Sequence, residues 1–264
     1  MGCELNTGAG AIKKLRLMTY NVKGYLAVGK LDGMSPIARE IALHNADIIV
    51  LQDARELVAM FMASSESVRL MFGDRRIYVY GQYLVASRYV LRSCNPGSIS
   101  FRELPHTYVR CVVDINGREV DLFTAHFVTP RNGLNAIRHE RSQGINEWKE
   151  NVSDRMMQAT SLAEELRRGS RPFIVAGDLN APAHSLVVRA LLDTGARDAF
   201  SIAGRGFGYT YGHSLWPGIS FLRIDHVLVS SEFNVADCFA GDKQGSTHRA
   251  VVADVILTNH HKKD

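Results

Sequence analysis

The 264-residue sequence has few of the features that mark disulfide-rich, zinc-binding or membrane-spanning proteins. Its four cysteines, Cys3, Cys94, Cys111 and Cys238, are scattered without a C-x-x-C pair, which argues against a disulfide framework or zinc cluster and favours buried free thiols. No apolar run reaches the roughly 18 residues typical of a membrane-spanning helix. Residues 1–14 lack the apolar core of a signal peptide, so a leader, if one exists, is not part of this sequence.

The composition is that of an ordinary soluble globular protein, with 46% hydrophobic and 22% charged residues. The net charge of +4 is a mild basic excess, which suits an anionic substrate but does not require one. The length allows one or two domains. Because no internal repeat or linker is visible, we predict a flexible N-terminal arm (1–14), a single domain (15–258) and a disordered tail (259–264), in a monomeric protein.

The stretch RPFIVAGDLN, Arg171 to Asn180, is the most informative part of the chain. Its apolar run Phe173 to Ala176 carries no charge, which predicts a buried strand. Side chains two apart on an extended chain point to the same side, so Asp178 and Asn180 are expected to project together. Such a pair can hold a hard cation or a water beside one. Gly177, Asp178 and Asn180 are also turn formers, so a simple turn remains an alternative.

Polar side chains stand at or near the ends of most other predicted strands as well. With Asp178 and Asn180, this set contains Asn21, Asp53, His126, Asp225 and His248. Each alone has an ordinary explanation, such as a cap or a hydrogen-bonded structural histidine. Because packed strands bring their ends together at one edge, however, we expect these residues to form one site. Their oxygens suit magnesium or manganese rather than zinc, and the two histidines can transfer protons.

The remaining pattern predicts the surrounding elements. Ser35 and Pro36 are expected to cap and open a helix, and residues 54–64 to form another. Asn116-Gly117 predicts a tight hairpin turn, and residues 129–155 a long loop before a helix at about Ser153 to Arg168. Loosely alternating strands and helices, with hairpins between them, predict an α/β fold in which two sheets carry helices on their outer faces. His226, beside Asp225, is expected to face the opposite side of its strand and to be structural.

Six segments in order resemble motifs of the endonuclease/exonuclease/phosphatase superfamily: TYNV, IIVLQD, TAHF, VAGDLN, RIDHVLVS and STHRAV. The resemblance runs from about residue 15 to about residue 257. It implies a four-layer α/β sandwich, two packed mixed β-sheets flanked by helices, and a metal-dependent hydrolase of phosphoester bonds. With the histidine in TAHF, the chain resembles the branch of the superfamily that contains deoxyribonucleases, sphingomyelinases and phosphatases. The segments Asp198 to Thr210 and RIDHVLVS resemble bacterial members.

The resemblance also implies roles for individual residues. Asp178 and Asn180 would orient the attacking water and bind the scissile phosphate. His248 would transfer the proton, and Asp225 would hold its ring and favour the imidazolium. His126 would bind the phosphate or protonate the leaving oxygen.

On the metal side, the resemblance assigns Asn21 and Asp53 to a magnesium (Mg2+) or manganese (Mn2+) ion, which would neutralise charge on the phosphorus. Two departures from the family pattern affect this side. The family has Glu where this chain has Asp53, and Asp where it has Thr247. These changes keep open a non-catalytic phosphate-binding module with a degenerate metal site.

For the substrate, we predict phosphodiesters, with DNA or another nucleic acid as the first candidate. Phospholipids or lipid-linked phosphates are the alternative. The basic cluster Arg131, Arg138, His139 and Arg141 is expected either to contact substrate phosphates, with Arg131 and Arg141 foremost, or to be a solvated loop. The sequence leaves the compartment open between the bacterial cytoplasm and an excised extracytoplasmic domain.

Overall fold

A computed structural model describes residues 14–28, 30, 33–63, 66–131, 133–135, 142–212 and 218–258. The predicted arm lies outside these ranges except for Lys14, and the predicted tail lies wholly outside them. Arg138, His139 and Arg141 also fall outside the described residues. The predicted domain bounds therefore remain predictions.

The structure gives the bounds of thirteen strands and seven helices within these ranges, and residues 131 and 133–135 are helical as well. The strands are β1 Leu15–Asn21, β2 Ile48–Gln52, β3 Arg76–Tyr80, β4 Tyr83–Ser87, β5 Val90–Ser98, β6 Thr107–Ile115, β7 Arg118–His126, β8 Phe173–Asp178, β9 Arg197–Asp198, β10 Gly204–Arg205, β11 Asp225–Val229, β12 Phe233–Ala240 and β13 Val251–Leu257. The helices are α1 Gly24–Val28, α2 Ser35–His44, α3 Arg55–Met62, α4 Glu66–Phe72, α5 Ser142–Arg168, α6 Leu186–Leu192 and α7 Ala199–Ala203.

The strands form two mixed sheets. The first has the order β10-β12-β13-β1-β2-β4-β3, and the second the order β5-β6-β7-β8-β11-β9. β1 runs parallel to β2, and β7 runs parallel to β8, whereas the hairpins and the partners of β13 and β11 are antiparallel. The predicted four-layer sandwich of two packed, mixed sheets flanked by helices is confirmed.

Alternation along the strands divides the apolar side chains among three cores. In β1, Leu17 belongs to the core between the sheets, whereas its neighbour Met18 belongs to the core beneath α2 and α3. In β8, Ile174 joins the core between the sheets and Val175 the core beneath α5 and α6. Both strands are buried on their two faces, which explains why their sequences read as continuous apolar runs.

Two expectations about the helices are wrong. The second half of the loop predicted over residues 129–155 is helical, because α5 already begins at Ser142. Before Ser153 the described side chains of α5 are mostly exposed and the buried one is the polar Asn151, so this part lacks the buried apolar positions that mark a helix. Ser35 is the first residue of α2 rather than its cap, and no side chain caps that helix.

The cysteine prediction is wrong for one pair and confirmed for one thiol. Cys94 on β5 lies opposite Cys111 on β6 in the antiparallel register, and the two form a disulfide. Cys238 is a buried free thiol, as expected. The predicted Asn116-Gly117 turn is confirmed, with φ angles of 54° and 86° at its two residues. Of the helices that the structure describes, none has the length and apolar character needed to cross a membrane.

Candidate active site

Strand register brings the predicted site residues of the second sheet to one edge. β7 and β8 run parallel and end side by side, so that His126 lies opposite Asp178. β11 runs antiparallel to β8 and begins at this edge, with Asp225 also opposite Asp178. In the first sheet, β1 ends at Asn21, which lies opposite Gln52, the last residue of the parallel strand β2. Asp53 directly follows Gln52 and so lies at the same edge.

Asp178 is fully buried at the centre of this group. Its Oδ2 atom accepts a hydrogen bond from Asn21 Nδ2 at 2.9 Å and lies 3.5 Å from His126 Nε2 and 3.8 Å from His248 Nε2. Its Oδ1 atom accepts from the backbone N–H of Asn180 at 2.9 Å. One carboxylate therefore contacts residues from both sheets and lies near both predicted histidines.

Asn180 occupies a left-handed turn, with φ of 47°. The Asp178 side chain caps this turn, and Asn180 Nδ2 donates to the carbonyl oxygen of Phe127 at 2.8 Å. Arg155 of α5 donates to the carbonyl oxygen of Asn180 at 3.0 Å. This geometry is thus compatible with both alternatives for G-D-L-N: the segment forms a turn, and it can also be part of a site.

His248 and Asp225 form a buried pair, with His248 Nδ1 3.0 Å from Asp225 Oδ2. The Tyr211 ring packs on the His248 ring at a centroid distance of 4.7 Å. Burial alone lowers the pKa of His248, but the negative charges of Asp225 and Asp178 outweigh burial and raise it above its ordinary value. His248 is therefore held in a setting that favours the imidazolium.

His126 lies in a different electrostatic setting. Its Nδ1 atom is 2.7 Å from Gln82 Oε1 and 3.6 Å from Asp53 Oδ1. Burial lowers the pKa of His126 by more than the carboxylates of Asp178 and Asp53 raise it. The site thus pairs one histidine that favours the charged form with one that favours the neutral form, which is the division expected of groups with different proton-transfer roles.

The sequence analysis missed Lys23, which lies inside the site. Its ammonium Nζ donates to Asp53 Oδ2 at 2.5 Å, and its backbone N–H donates to Asn21 Oδ1 at 3.2 Å. Burial raises the pKa of Asp53, but the charges of His126 and Lys23 outweigh burial and lower it. The only sequence signal is the position of Lys23 two residues after Asn21.

Two cavities open beside this group. One, of about 440 Å³, is lined by Asp53, Gln82 and His126. The other, of about 520 Å³, borders His248 and Asn180 and has a largely apolar wall that includes Trp148, Leu222 and Ile224. Lys23 and Arg131 line both cavities.

The other predicted residues are placed as follows. Arg131 is exposed at the cavities, and its guanidinium donates to the Tyr211 hydroxyl at 3.2 Å, whereas Arg141 lies outside the described residues. His226 is buried, with Nε2 2.9 Å from the carbonyl oxygen of Ala181. Thr247 is half-buried between two buried residues, Ser246 and His248.

Two groups of side chains are candidates for holding a metal ion. Asp178, Asp225 and His248 offer ligand atoms that all lie within 4.8 Å of one another. Asn21 and Asp53, the predicted ligands, provide amide and carboxylate oxygens, which suit a hard cation. Asp53 already binds one cation, the Lys23 ammonium, so the donor set fits a positive charge.

Comparison with known proteins agrees with the fold described above. The model of the Endonuclease/Exonuclease/phosphatase family matches residues 18–248. A structure of an endonuclease/exonuclease/phosphatase from Bacteroides vulgatus is similar at a TM-score of 0.70 and 16% identity, covering 93% of this chain and 99% of that one. A humanized D. rerio TDP2 is similar at a TM-score of 0.68 and 15% identity, covering 92% and 98%.

A third similar structure is the Bacteroides thetaiotaomicron mannosyl-6-phosphatase Bt3783, with a TM-score of 0.66, 16% identity and coverage of 92% and 99%. No curated protein matches this sequence. At these identities the structures show a shared fold, whereas the family model spans most of the chain. The chain therefore belongs to the endonuclease/exonuclease/phosphatase family.

Proposed function

We propose that this protein is a divalent-metal-dependent phosphoesterase that acts as a monomer on phosphodiesters, with nucleic acid as the first candidate. Its family consists of phosphoester hydrolases. The observation that carries the proposal is the position of Asp178 within 3.5 Å of His126 and 3.8 Å of His248, with Asp225 bonded to the far side of His248. A buried carboxylate between two histidines of different basicity is suited to activating water and transferring protons.

The proposal assigns roles to the side chains of the site. Asp178, fixed by its hydrogen bond from Asn21, orients the attacking water. His248 transfers a proton through Nε2, while Asp225 holds the ring through Nδ1 and stabilises the imidazolium. His126 binds the phosphate, as a neutral imidazole can through a ring N–H, or protonates the leaving oxygen in its charged form, and Asn180 contributes to phosphate binding.

The residues that would hold the metal are Asn21 and Asp53, with magnesium or manganese as the ion. When bound, such an ion neutralises negative charge on the phosphoryl group. The oxygen atoms of Asn21 and Asp53 suit such an ion, and the Lys23 ammonium already bonded to Asp53 supports this assignment.

Two observations bear on the substrate. The net charge of +4 and the exposed Arg131 at the cavities favour a polyanion such as nucleic acid. The apolar wall formed by Trp148, Leu222 and Ile224 beside His248 favours the second candidate, a phospholipid or lipid-linked phosphate, because it would bury a hydrocarbon group next to the phosphate.

The Cys94–Cys111 disulfide bears on the compartment. Disulfides persist mainly in oxidising environments. Of the two locations that the sequence leaves open, we therefore favour the extracytoplasmic one.

The test is a hydrolysis panel with purified protein: bis(p-nitrophenyl) phosphate, plasmid DNA, abasic DNA, RNA, sphingomyelin and polyprenyl phosphates, each with magnesium, with manganese and with excess chelator. We expect hydrolysis of the generic diester and of at least one natural class, lost in chelator and in His248→Ala. Full activity in chelator would contradict the metal dependence. Binding without hydrolysis of any substrate would indicate a phosphate-binding module.

A further inference from the structure

Lys23 bonds to both residues that the family resemblance assigns to the metal. Its ammonium is 2.5 Å from Asp53 Oδ2, and its backbone N–H is 3.2 Å from Asn21 Oδ1. Both charged side chains are largely shielded, with 15% of the Lys23 side chain and 23% of the Asp53 side chain exposed. A cation attached to the chain therefore occupies the carboxylate that a divalent ion would use.

The backbone holds Lys23 in this place. β1 and β2 are parallel neighbours, and hydrogen bonds continue past their ends from Val22 N to Gln52 O at 3.0 Å and from Gly24 N to Asp53 O at 2.9 Å. Lys23 and Asp53 both adopt left-handed backbone angles, with φ of 46° and 50°. The two Cα positions are thus fixed on both sides, so the pairing changes through side-chain rotation, for which the long lysine stem has the most freedom.

Electrostatics makes the two cations exclude each other. An ammonium at hydrogen-bond distance from Asp53 Oδ2 would also lie close to a metal ion on that oxygen. At a separation of about 4 Å, even unit charges repel by about 1 kcal/mol in water and about 4 kcal/mol near a protein surface, and a divalent ion doubles this. The flexible lysine stem and the cavities on either side of it give the ammonium somewhere else to go.

We propose that Lys23 is a tethered competitor for the metal at Asp53. Its ammonium holds the carboxylate in the metal-free protein and must leave it before a divalent cation binds. This inference rests on the metal assignment in the proposed function. It predicts that the wild-type protein binds metal weakly because of Lys23 itself, in addition to the short Asp53 side chain.

The test is calorimetric titration of the full chain with manganese chloride, without substrate. Lys23→Met keeps most of the stem and removes the charge, so its manganese affinity should exceed that of the wild type by about tenfold, equivalent to about 1.4 kcal/mol. Lys23→Gln, which also loses the charge, should show the same direction, so a folding defect in one variant does not decide the result. Circular dichroism checks that each variant is folded.

A matched control is Lys14→Met. Lys14 also pairs with an aspartate, Asp254, at 2.8 Å. It directly precedes β1 and is seven residues before Asn21, about 23 Å away at roughly 3.3 Å per residue. Its removal should leave manganese affinity unchanged. Asp53→Asn should abolish the tight binding in the Lys23→Met background.

Equal manganese affinity in the wild type and both Lys23 variants would overturn the inference. Tight binding that persists in the Lys23→Met, Asp53→Asn protein would also overturn it, because the ion would then sit elsewhere. These outcomes are separate from the hydrolysis panel: a protein that cleaves phosphodiesters but fails the titration test keeps its proposed activity and loses only the role given to Lys23.

Discussion

His248 is bonded through Nδ1 to Asp225 at 3.0 Å, in a place where both side chains are buried. This bond fixes the ring so that Nε2 points toward Asp178, 3.8 Å away. A histidine held in this way presents one ring nitrogen to the reacting groups and keeps the other on a carboxylate. The pair resembles in its logic, though not in its fold, the oriented histidines of acyl-transfer enzymes.

The first prediction concerns this pair. His248→Ala should lower kcat on a generic phosphodiester by at least about 100-fold, since removal of a general acid or base typically has an effect of that size. Asp225→Asn should come close to the same loss, because the ring is no longer oriented and the imidazolium is no longer stabilised. The measurement is steady-state kinetics, with thermal melting to establish that both variants fold.

The control is His184→Ala, which removes an exposed histidine that follows β8 and precedes α6. It should leave kcat unchanged. Near-normal turnover in His248→Ala or Asp225→Asn would contradict the roles proposed for the pair.

The positions of these polar residues could be predicted because each one interrupts or ends an apolar strand. The strands β1 and β8, buried on both faces, end at Asn21 and Asp178, and the buried strand β11 begins at Asp225. An apolar run that stops at a carboxylate or amide can be recognised in the sequence. Parallel pairing of β7 with β8 then brings His126 beside Asp178, as the expectation of a shared sheet edge requires.

Other features depended on long-range register, which the sequence does not reveal. Lys23 looks like a solvated turn residue until β1 and β2 pair and bring Asp53, 30 residues away, against its ammonium. Cys94 and Cys111 meet only through the register of β5 and β6. The first half of α5 could not be predicted from the sequence, because the side chains that it buries are polar and do not form an apolar stripe.

The second prediction concerns Arg131, which is exposed at both cavities and bonded to Tyr211. Arg131→Ala should weaken the binding of a nucleic-acid substrate. The loss of affinity should be larger at about 50 mM than at about 300 mM salt, because phosphate contacts of arginine depend on counterion release. Filter binding or fluorescence anisotropy at the two salt concentrations measures it.

Arg189→Ala is the comparison, since Arg189 is exposed on α6 and pairs with Asp193 in the same helix. It should change affinity little at either salt concentration. If Arg131→Ala binds like the wild type at both salt concentrations, Arg131 is a solvated surface residue that does not contact the substrate, and the same would be expected of Arg141.

The third prediction concerns stability and its pH dependence. Arg16 on β1 faces Asp254 on β13 and forms two hydrogen bonds to its carboxylate, at 2.7 and 2.9 Å, while Lys14 adds a third at 2.8 Å. The hydrogen bond from Arg16 is the main cause that holds the pKa of Asp254 below its ordinary value of 3.8. Asp254→Asn should lower the free energy of unfolding at pH 7 by about 1–3 kcal/mol.

The sign of the pH effect follows from the lowered pKa. The contribution of Asp254 is complete well above pH 3.8 and is lost as pH falls through that value toward the lower pKa of the folded state. The difference between wild type and Asp254→Asn in urea unfolding should therefore shrink between pH 5 and pH 3, a range of about two units around that value. Asp237→Asn, which breaks a pair with the exposed Arg205, should lower stability by less than Asp254→Asn does. A constant gap for Asp254→Asn across this range would contradict the assignment.

The last prediction concerns the two departures from the family pattern, Asp53 and Thr247. Asp is one methylene shorter than Glu, so its oxygens reach about 1.5 Å less far. Magnesium requires near-ideal octahedral geometry and dehydrates reluctantly, whereas manganese binds oxygen and nitrogen sites more tightly and tolerates more varied geometry. We therefore expect one weak metal site in the wild type, with higher activity in manganese than in magnesium.

The double change Asp53→Glu and Thr247→Asp should tighten magnesium binding by restoring reach and charge together. Ser246, next to Thr247, donates to the carbonyl oxygen of Asn21 at 2.6 Å, which places position 247 close to the end of β1. An added carboxylate there attracts the Lys23 ammonium too, but it attracts a divalent ion twice as strongly, because Coulomb energy scales with the product of the charges. The balance at Asp53 should therefore shift toward the metal. Calorimetry with magnesium on both proteins measures the change, and equal affinity would mean that the metal sits away from these two side chains.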